Sequence, residues 1–441
     1  MVRFLVRAFE YAVPDPYIFA AALTVVTALL AFAFAPHRSP ADVATGWYNG
    51  IFDILAFALQ MILILVTGYA LAASAPVSRA LGWIASRAST PKNAVSLTFV
   101  VSAAACWLNW GFGLVAAGLL AREIARRMRI DFGWLVAAAY SGFLVWASGL
   151  SSSIALAQAT PGNKLNIVQA ISGQVLPLRT TIGAPFNYVP CLVLVVVLAA
   201  TFRALQPAET QTGDVAALDD ANTGVPAVKG AARGTLAFAL ENAWVFNAVI
   251  GLSGLAYLGW RWTTSGFALD INSVIFVFLC AGLLLHWRPI AYANAVNGAA
   301  RICGPLILQY PIYGGIMGIM TATGLAGVIA AWFAAFSTAH TLPFWSYVSS
   351  IAISLFVPSG GGHWAVQGPF AVPAAIRLHA SLPATAMGVA IGEEVANMIQ
   401  PFWALPILAI AGVGLRRVMA FTAISFAIAF VVFGVSLLVL A

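Results

Sequence analysis

Charge is scarce in this chain. Only 8% of its 441 residues are charged and 62% are hydrophobic, against about 25% charged in a soluble globular domain. So little charge cannot cover a water-facing surface, and the chain is expected to be an integral membrane protein with lipid around it. Alternating polar and apolar residues are also lacking, which excludes a membrane β-barrel. Instead the apolar runs reach the ~20 residues that a spanning helix requires. Lys and Arg number 21 and Asp and Glu 14, a net charge of +7. The basic residues lie in short clusters between apolar runs, where they orient helices, so no nucleic-acid partner is expected. The four cysteines (Cys106, Cys191, Cys280, Cys303) sit inside apolar runs without paired spacing, which excludes a metal or redox motif and leaves them as packing residues. A phosphate-binding loop with its lysine, an HExxH pair and a GxSxG turn are all missing; nothing suggests an ATP motor or a metallohydrolase, and no cofactor or metal is expected. The first ten residues carry Arg3 and Arg7 without a convincing cleavage site after them, so the run from Tyr17 is expected to stay as a first membrane helix.

What is present is a series of apolar segments broken at four places. One break is Pro358-Ser359-Gly360-Gly361-Gly362-His363-Trp364, continued by Gln367-Gly368-Pro369-Phe370. Each glycine costs a helix roughly 1 kcal/mol and an interior proline roughly 3, so the sequence predicts that the helix stops there. Backbone that leaves the helix inside hydrocarbon must be satisfied by protein or by a water-filled cavity, so such breaks mark binding sites. The other three are Asn109-Trp110-Gly111-Phe112-Gly113, Ser148-Gly149-Leu150-Ser151-Ser152-Ser153 and Asn397-Met398-Ile399-Gln400-Pro401.

The breaks repeat. Pro358 follows Asn109 by 249 positions, and the same shift lays Ser148 on Asn397 and Gln60 on Gln309, two glutamines that could bond across a repeat axis. Two halves with corresponding interrupted segments are the sequence sign of a transporter built from structural repeats. The run around Asn109 is basic at both ends, with Arg79, Arg87 and Lys92 before it and Arg122, Arg126, Arg127 and Arg129 after it; a re-entrant hairpin fits the positive-inside rule better than a crossing. The expected fold is an all-α polytopic membrane protein with two inverted repeats, each holding a re-entrant hairpin and a broken transmembrane helix. Residues 1–203 form the first repeat, 204–240 a flexible cytoplasmic linker, 241–266 an extra connecting helix that reverses the sense, and 267–441 the second repeat. With the N-terminus inside, inner loops take 16 of the Lys and Arg residues and outer loops 5, giving nine crossings and two opposed hairpins. A bundle of eleven or twelve plain helices is the alternative.

Several runs, Pro14 to Ala20, Asn109 to Gly113, Ala159-Thr160-Pro161-Gly162-Asn163, the glycine stretch through Phe370, and Gln400-Pro401-Phe402-Trp403-Ala404-Leu405-Pro406, resemble the bacterial short-chain fatty acid transporter family over nearly the whole chain. The resemblance implies uptake of acids such as acetoacetate or butyrate across the cell inner membrane. It also implies kinship with the ion transporter superfamily, whose members have inverted repeats, paired hairpins and unwound helices and move carboxylates by an elevator motion. An elevator needs a fixed scaffold, which favours a homodimer. Glu393 falls at the family's glutamate position, whereas Glu394 is expected to be replaceable. The stretch from Ala204 to Arg233 matches nothing in the family.

The residues themselves fit that substrate class. A short-chain fatty acid is one carboxylate on a small tail, so its site needs hydrogen-bond donors at one end and an apolar wall at the other. Candidate donors are Ser151, Ser152, Ser153, Ser359, Asn109, Asn397, Gln367, Gln400, His363 and the backbone amides of Gly111, Gly113, Gly360, Gly361 and Gly362; helix N-termini would add positive potential. Trp110, Phe112, Trp364 and Phe402 could wall the tail. Close helix packing uses the same serines and glycines. The absence of Arg and Lys from these breaks favours a monocarboxylate over a substrate with several carboxylates. Glu393 and His363, charged or titratable groups within apolar sequence, are expected to couple transport to a proton or a sodium ion; His363 serves equally as a structural hydrogen-bonder, and Asp53 reads as a cap or an interface residue. Two other functions compete with a gradient-driven transporter: a membrane-embedded acyltransferase with His363 as base, and a small-anion channel.

Overall fold

The computed structural model describes residues 16–163, 165–207, 230–266, 271–300, 303–358 and 360–441, and every regular element among them is a helix. Most of the candidate linker, together with Ser359 and Lys164, lies outside the described residues. Several helices begin where the sequence supplies a side-chain cap. Ser39 and Asp42 form a reciprocal capping box, and Thr90, Asn109, Asp131, Ser152 and Ser381 each accept a bond from a backbone N–H two or three residues ahead. Such a cap satisfies donors that no helix can satisfy internally.

The first half runs α1 (Pro16–Phe34), α2 (Pro40–Asp53), α3 (Leu55–Ala72), α4 (Ala75–Ser86), α5 (Pro91–Leu108), α6 (Trp110–Arg127), α7 (Phe132–Ser141), α8 (Ser153–Ala159), α9 (Ile167–Ser172) and α10 (Pro185–Ala204). The short α11 (Leu236–Glu241) and the long α12 (Trp244–Ser265) lead into the second half. There follow α13 (Ile271–His286), α14 (Pro289–Ala300), α15 (Gly304–Thr323), α16 (Leu325–Ala335), α17 (Leu342–Ser354), α18 (Gly360–Leu378), α19 (Leu382–Ala396), α20 (Ala404–Ala411) and α21 (Leu415–Val439). The order of elements recurs: a long helix, a short one (amphipathic α4, wholly apolar α16), two arms of a hairpin, a helix that breaks, its short continuation, and a long final helix. Among the described residues five helical stretches are long and apolar enough to cross a membrane, and α15 with α16 would make a sixth as a pair bent by 67°. The chain is a multi-pass membrane protein.

Three features differ from the sequence expectation. Gly360, Gly361 and Gly362 do not unwind the chain; they form the first turn of α18, which continues through Pro369 and Pro373. Amides in a first turn have no intrahelical acceptor in any helix, so glycine there forgoes little hydrogen bonding. Likewise the first hairpin turns on Asn109 alone, held extended at φ −156°, ψ 122°, with Gly111 and Gly113 already helical. Gln60 and Gln309 do not pair: Gln60 donates to Asn272 at 2.7 Å, while Gln309 is buried elsewhere. All four cysteines are free and buried.

The core is centred on the two broken helices. In α7 and α19 every described side chain from Phe132 to Ser141 and from Ala384 to Ala396 is buried. Small residues permit this density. A methyl group on Gly388 or Gly392 would run into the carbonyls of Pro343 or Tyr347 on α17, so α19 and the second hairpin meet backbone to backbone.

Candidate functional site

Both broken helices lose regular structure at the same level of the core, and each break is held by the other half of the chain. After α7 the chain passes through a 3-10 turn (Gly142–Val145) and an irregular stretch before Ser152 caps α8. That stretch is fixed from three directions. Leu150 N–H donates to Trp107 O at 2.8 Å, and Ser151 Oγ accepts from Trp110 N–H at 3.0 Å, both at the tip of the first hairpin. Asn187 of α10 donates to Ser148 O at 3.0 Å. From α19, Glu394 accepts from Ala147 N–H at 2.8 Å, Ser148 N–H at 3.2 Å and the Ser148 hydroxyl at 2.7 Å. In return the Tyr140 hydroxyl at the end of α7 donates to Asn397 O at 2.7 Å in the second break. The Asn397 amide, with its oxygen turned to Trp146 Nε1 at 3.2 Å, meets Glu393 O at 3.2 Å and the Gln400 amide at 2.6 Å.

Glu393 differs from its neighbour. Both residues are fully buried, yet among the described residues neither Glu393 oxygen has a hydrogen-bond partner. Its carboxyl faces the tip of the second hairpin: a methyl group on Gly360 would lie 3.2 Å from Glu393 Oε2, 3.0 Å from Ser153 Oγ and 3.0 Å from Trp146 Cη2. Thus Glu393, Ser153, Gly360 and Trp146 converge on one point where both halves contribute. Ser354 and Gln400 stand beside it, 3.5 Å apart. An aromatic shell surrounds the breaks, with Trp403 packed against Trp110, Phe143 and Trp146 at centroid distances of 5.2, 5.6 and 6.2 Å. Phe402 packs against Tyr310 and Tyr313 at 4.5 and 5.1 Å.

The candidates divide accordingly. Ser153, Gly360, Glu393, Asn397 and Gln400 come together. Asn109 spends its side-chain oxygen on the N–H groups of Gly111 and Phe112, both at 3.0 Å, and Ser152 caps α8. Gly111 and Gly113 pack closely on Ile64 and Cys106. Gly361 and Gly362 follow Gly360 in the first turn of α18, Gly361 against Leu165. His363 is turned between the hairpin arms: Nε2 lies 2.9 Å from Ser350 Oγ and 2.7 Å from Gln367 Oε1. Gln367 in turn donates to Ser346 O at 3.1 Å and Ser349 Oγ at 2.9 Å. Of the expected wall residues, Trp110 and Phe402 belong to the aromatic shell. Trp364 donates to Leu165 O at 3.1 Å, and Phe112 is half-exposed beside Phe278. Sequence reasoning missed Trp146 and Trp403, although both adjoin flagged breaks, and it missed the clamp made by Glu394. Asp53 is exposed at the end of α2.

The profile described as short chain fatty acid transporter matches residues 1–440. The chain is 41% identical over 99% of its length to an Escherichia coli (strain K12) protein provisionally named a short-chain fatty acid transporter, covering 98% of that protein. It is 38% identical over 95% of its length to a Haemophilus influenzae protein of the same provisional name, covering 94% of it. Among solved structures, the Alcanivorax borkumensis YdaH transporter aligns over 97% of this chain and 98% of its own, at 14% identity and a TM-score of 0.47. Neisseria gonorrhoeae MtrF, from a class of antimetabolite efflux pumps, aligns over 98% and 97%, at 15% identity and a TM-score of 0.41. The match across the full length and the two relatives settle the family: the chain belongs to the short chain fatty acid transporters.

Proposed function

We propose that this protein is a secondary active transporter that takes up short-chain fatty acids of the acetate, butyrate and acetoacetate class across the bacterial inner membrane, driven by a proton or sodium gradient. The observation that carries the coupling is Glu393, a fully buried carboxyl without a partner among the described residues, placed against Gly360 and Ser153. A carboxyl at that depth is costly to keep unless an ion or proton and its substrate complete it. The substrate carboxylate would be held by the Ser153 hydroxyl, the Gln400 amide and the first-turn amides of α18, whose dipole favours an anion. Its short tail would lie on Trp146, Phe143 and Trp403. Among the described residues no Lys or Arg takes part in this cluster, which fits one carboxylate rather than several.

The recurring order of helices supports two repeats of opposite sense, each with a hairpin and a broken helix, joined by α12. In that arrangement α5 with α6 and α17 with α18 are re-entrant hairpins on opposite sides, and they move with the broken helices past a scaffold in an elevator motion. A homodimer would hold that scaffold still.

The test is uptake of radiolabelled butyrate into proteoliposomes under a proton gradient or a sodium gradient imposed separately, for the native protein and for Glu393→Gln. Saturable uptake that follows one gradient and disappears in the variant is expected. Saturable uptake unchanged in Glu393→Gln overturns the role of Glu393; absence of saturable uptake under both gradients overturns the fatty-acid reading.

A further inference from the structure

The chain that joins α8 to α9 is braced from within, and the second hairpin rests on it. Gln158, buried at the end of α8, donates from Nε2 to Leu165 O at 2.8 Å and accepts from Val168 N–H at 3.1 Å. Asn166, also buried, donates back to Gln158 O and Thr160 O, both at 3.1 Å. These bonds satisfy loop backbone without water and fix the loop to α8. Helix α18 meets it with Gly361, Trp364 and Gly368, which at spacings of three and four share one helix face. The Trp364 indole, fully buried, donates to Leu165 O at 3.1 Å. A methyl group on Gly361 would lie 3.1 Å from Leu165 Cδ1, and one on Gly368 2.8 Å from Ile167 Cδ1. The loop is a seat for α18.

Of the boundaries around α18, this one parts most easily. His363 and Gln367 occupy a different face and bind α17, where losing either would strand buried partners. In turn α17 meets α19 backbone to backbone at Gly388 and Gly392. The seat is held more lightly, by a neutral hydrogen bond, worth about a fivefold shift in an equilibrium, and by the ends of the Leu165 and Ile167 side chains. Parting also leaves Leu165 O satisfied, because it keeps the Gln158 amide when the indole departs. Both sides of the seat lead to the candidate site. Helix α8 starts at Ser153, and Gly361 directly follows Gly360, where a methyl group would lie 3.0 Å from Ser153 Oγ and 3.2 Å from Glu393 Oε2. Separating α18 from the loop therefore separates Gly360 and Glu393 from Ser153.

We propose that Trp364 is a positioning residue: seated on Leu165, it holds Gly360 and Glu393 against Ser153 in the closed, acid-bound state, and the seat parts and re-forms in each transport cycle to admit or release the acid. This rests on the reading of that cluster as the carrier site. It gives Trp364 an effect on the acid through the hairpin tip, in place of walling the tail.

The experiment uses the full-length protein in proteoliposomes. Ile167→Cys with Gly368→Cys places two thiols across the seat within disulfide reach, and the four native cysteines are buried. Butyrate uptake is compared after oxidation and again after reduction. Trp364→Phe, which keeps a ring and removes the N–H, is assayed separately. Oxidation is expected to stop uptake and reduction to restore it. Trp364→Phe is expected to raise KM up to about fivefold, the factor for one neutral hydrogen bond, with the maximal rate and the unfolding midpoint near native. A second arm needs no substrate: labelling of single Ile167→Cys by a bulky thiol reagent should be about fivefold faster when Trp364→Phe is added, because the parted seat is then more populated. Native protein without saturable uptake overturns the fatty-acid reading and leaves the seat to be judged by this labelling. Oxidised protein that takes up butyrate as fast as reduced protein overturns the proposal, as does a cysteine pair that does not crosslink. So does Trp364→Phe that lowers the midpoint while KM and labelling stay native, since that marks a purely structural indole.

Discussion

Glu394 grips Ser148 twice, through the backbone N–H at 3.2 Å and through the hydroxyl at 2.7 Å, although the two residues are 246 positions apart. With Ala147 N–H as a third donor, the carboxyl is an acceptor-only plug in the first helix break. Each unmet buried donor costs about 1–3 kcal/mol, so Glu394→Ala should destabilise the protein by several times the effect of a surface change. Glu394→Gln should cost less, since its amide oxygen still accepts from the two N–H groups. Glu393→Gln, at a carboxyl with no partner among the described residues, should leave the unfolding midpoint where it was while uptake disappears. Thermal unfolding in detergent beside proteoliposome uptake checks all three; a midpoint equally lowered by both glutamine variants would mean the two carboxyls are doing the same job.

Part of this arrangement was legible in the sequence because it rests on local chemistry. The breaks follow from glycine, proline and serine in apolar surroundings, whereas Asn109 and Ser152, expected as substrate donors, serve as helix caps. The Gly360 to Gly362 turn was misread because a glycine run looks like a helix stop, whereas its residues occupy a helix start, where the amides are unpaired in any case. The partners of Glu394 and Tyr140 were not legible. Both side chains reach across from one half to the other, and no helical period encodes a contact over such separations. Trp146 and Trp403 were missed for a similar reason: each sits beside a recognised break, but their packing on one another depends on how two breaks are brought to one level.

Gly360 is the next point of test. Its missing side chain lets the tip of the second hairpin come within reach of Ser153, Trp146 and Glu393, and a methyl group there would sit 3.0 to 3.2 Å from all three. Those distances are tight enough to move the tip by a few tenths of an ångström without unfolding it. Gly360→Ala should therefore lower the uptake rate about tenfold or more, as misplaced reactive geometry does, with an unfolding midpoint close to native. Native uptake in this variant would show that the tip does not need its close approach.

His363 makes a different prediction. Its Nε2 is 2.7 Å from Gln367 Oε1, and Gln367 donates onward to Ser346 O and Ser349 Oγ on the opposite arm. Because the Gln367 oxygen only accepts, Nε2 carries the proton and the ring ties α18 to α17. Removing it breaks bonds worth about 1 kcal/mol each and strands the buried partners, so His363→Ala should lower the midpoint. His363→Gln, which can still donate to Gln367, should recover part of that loss. Uptake that retains its native ion coupling in His363→Gln would assign the ring to bracing; a lost gradient response with an unchanged midpoint would assign it to coupling.

Away from the two helix breaks, α2 and α15 cross at Gly46, Gly50, Gly314 and Gly318, where the backbones nearly touch. A methyl group on Gly46 would lie 2.7 Å from Gly318 O, and one on Gly50 would run into Gly314 O. Small residues four apart on both helices are what allows apolar helices to associate in lipid, where burial against a neighbour gives no hydrophobic gain over the lipid itself. Overpacking such a contact costs typically about 1–3 kcal/mol, so Gly50→Ala and Gly318→Ala should each lower the unfolding midpoint. Gly259 of α12 is the control, because a methyl group there meets nothing within 4 Å. With no clash to offset it, Gly259→Ala gains up to about 1 kcal/mol of helix propensity, and its midpoint should rise or stay constant. Equal midpoints for Gly50→Ala and Gly259→Ala would mean that α2 and α15 cross more loosely than their glycines permit.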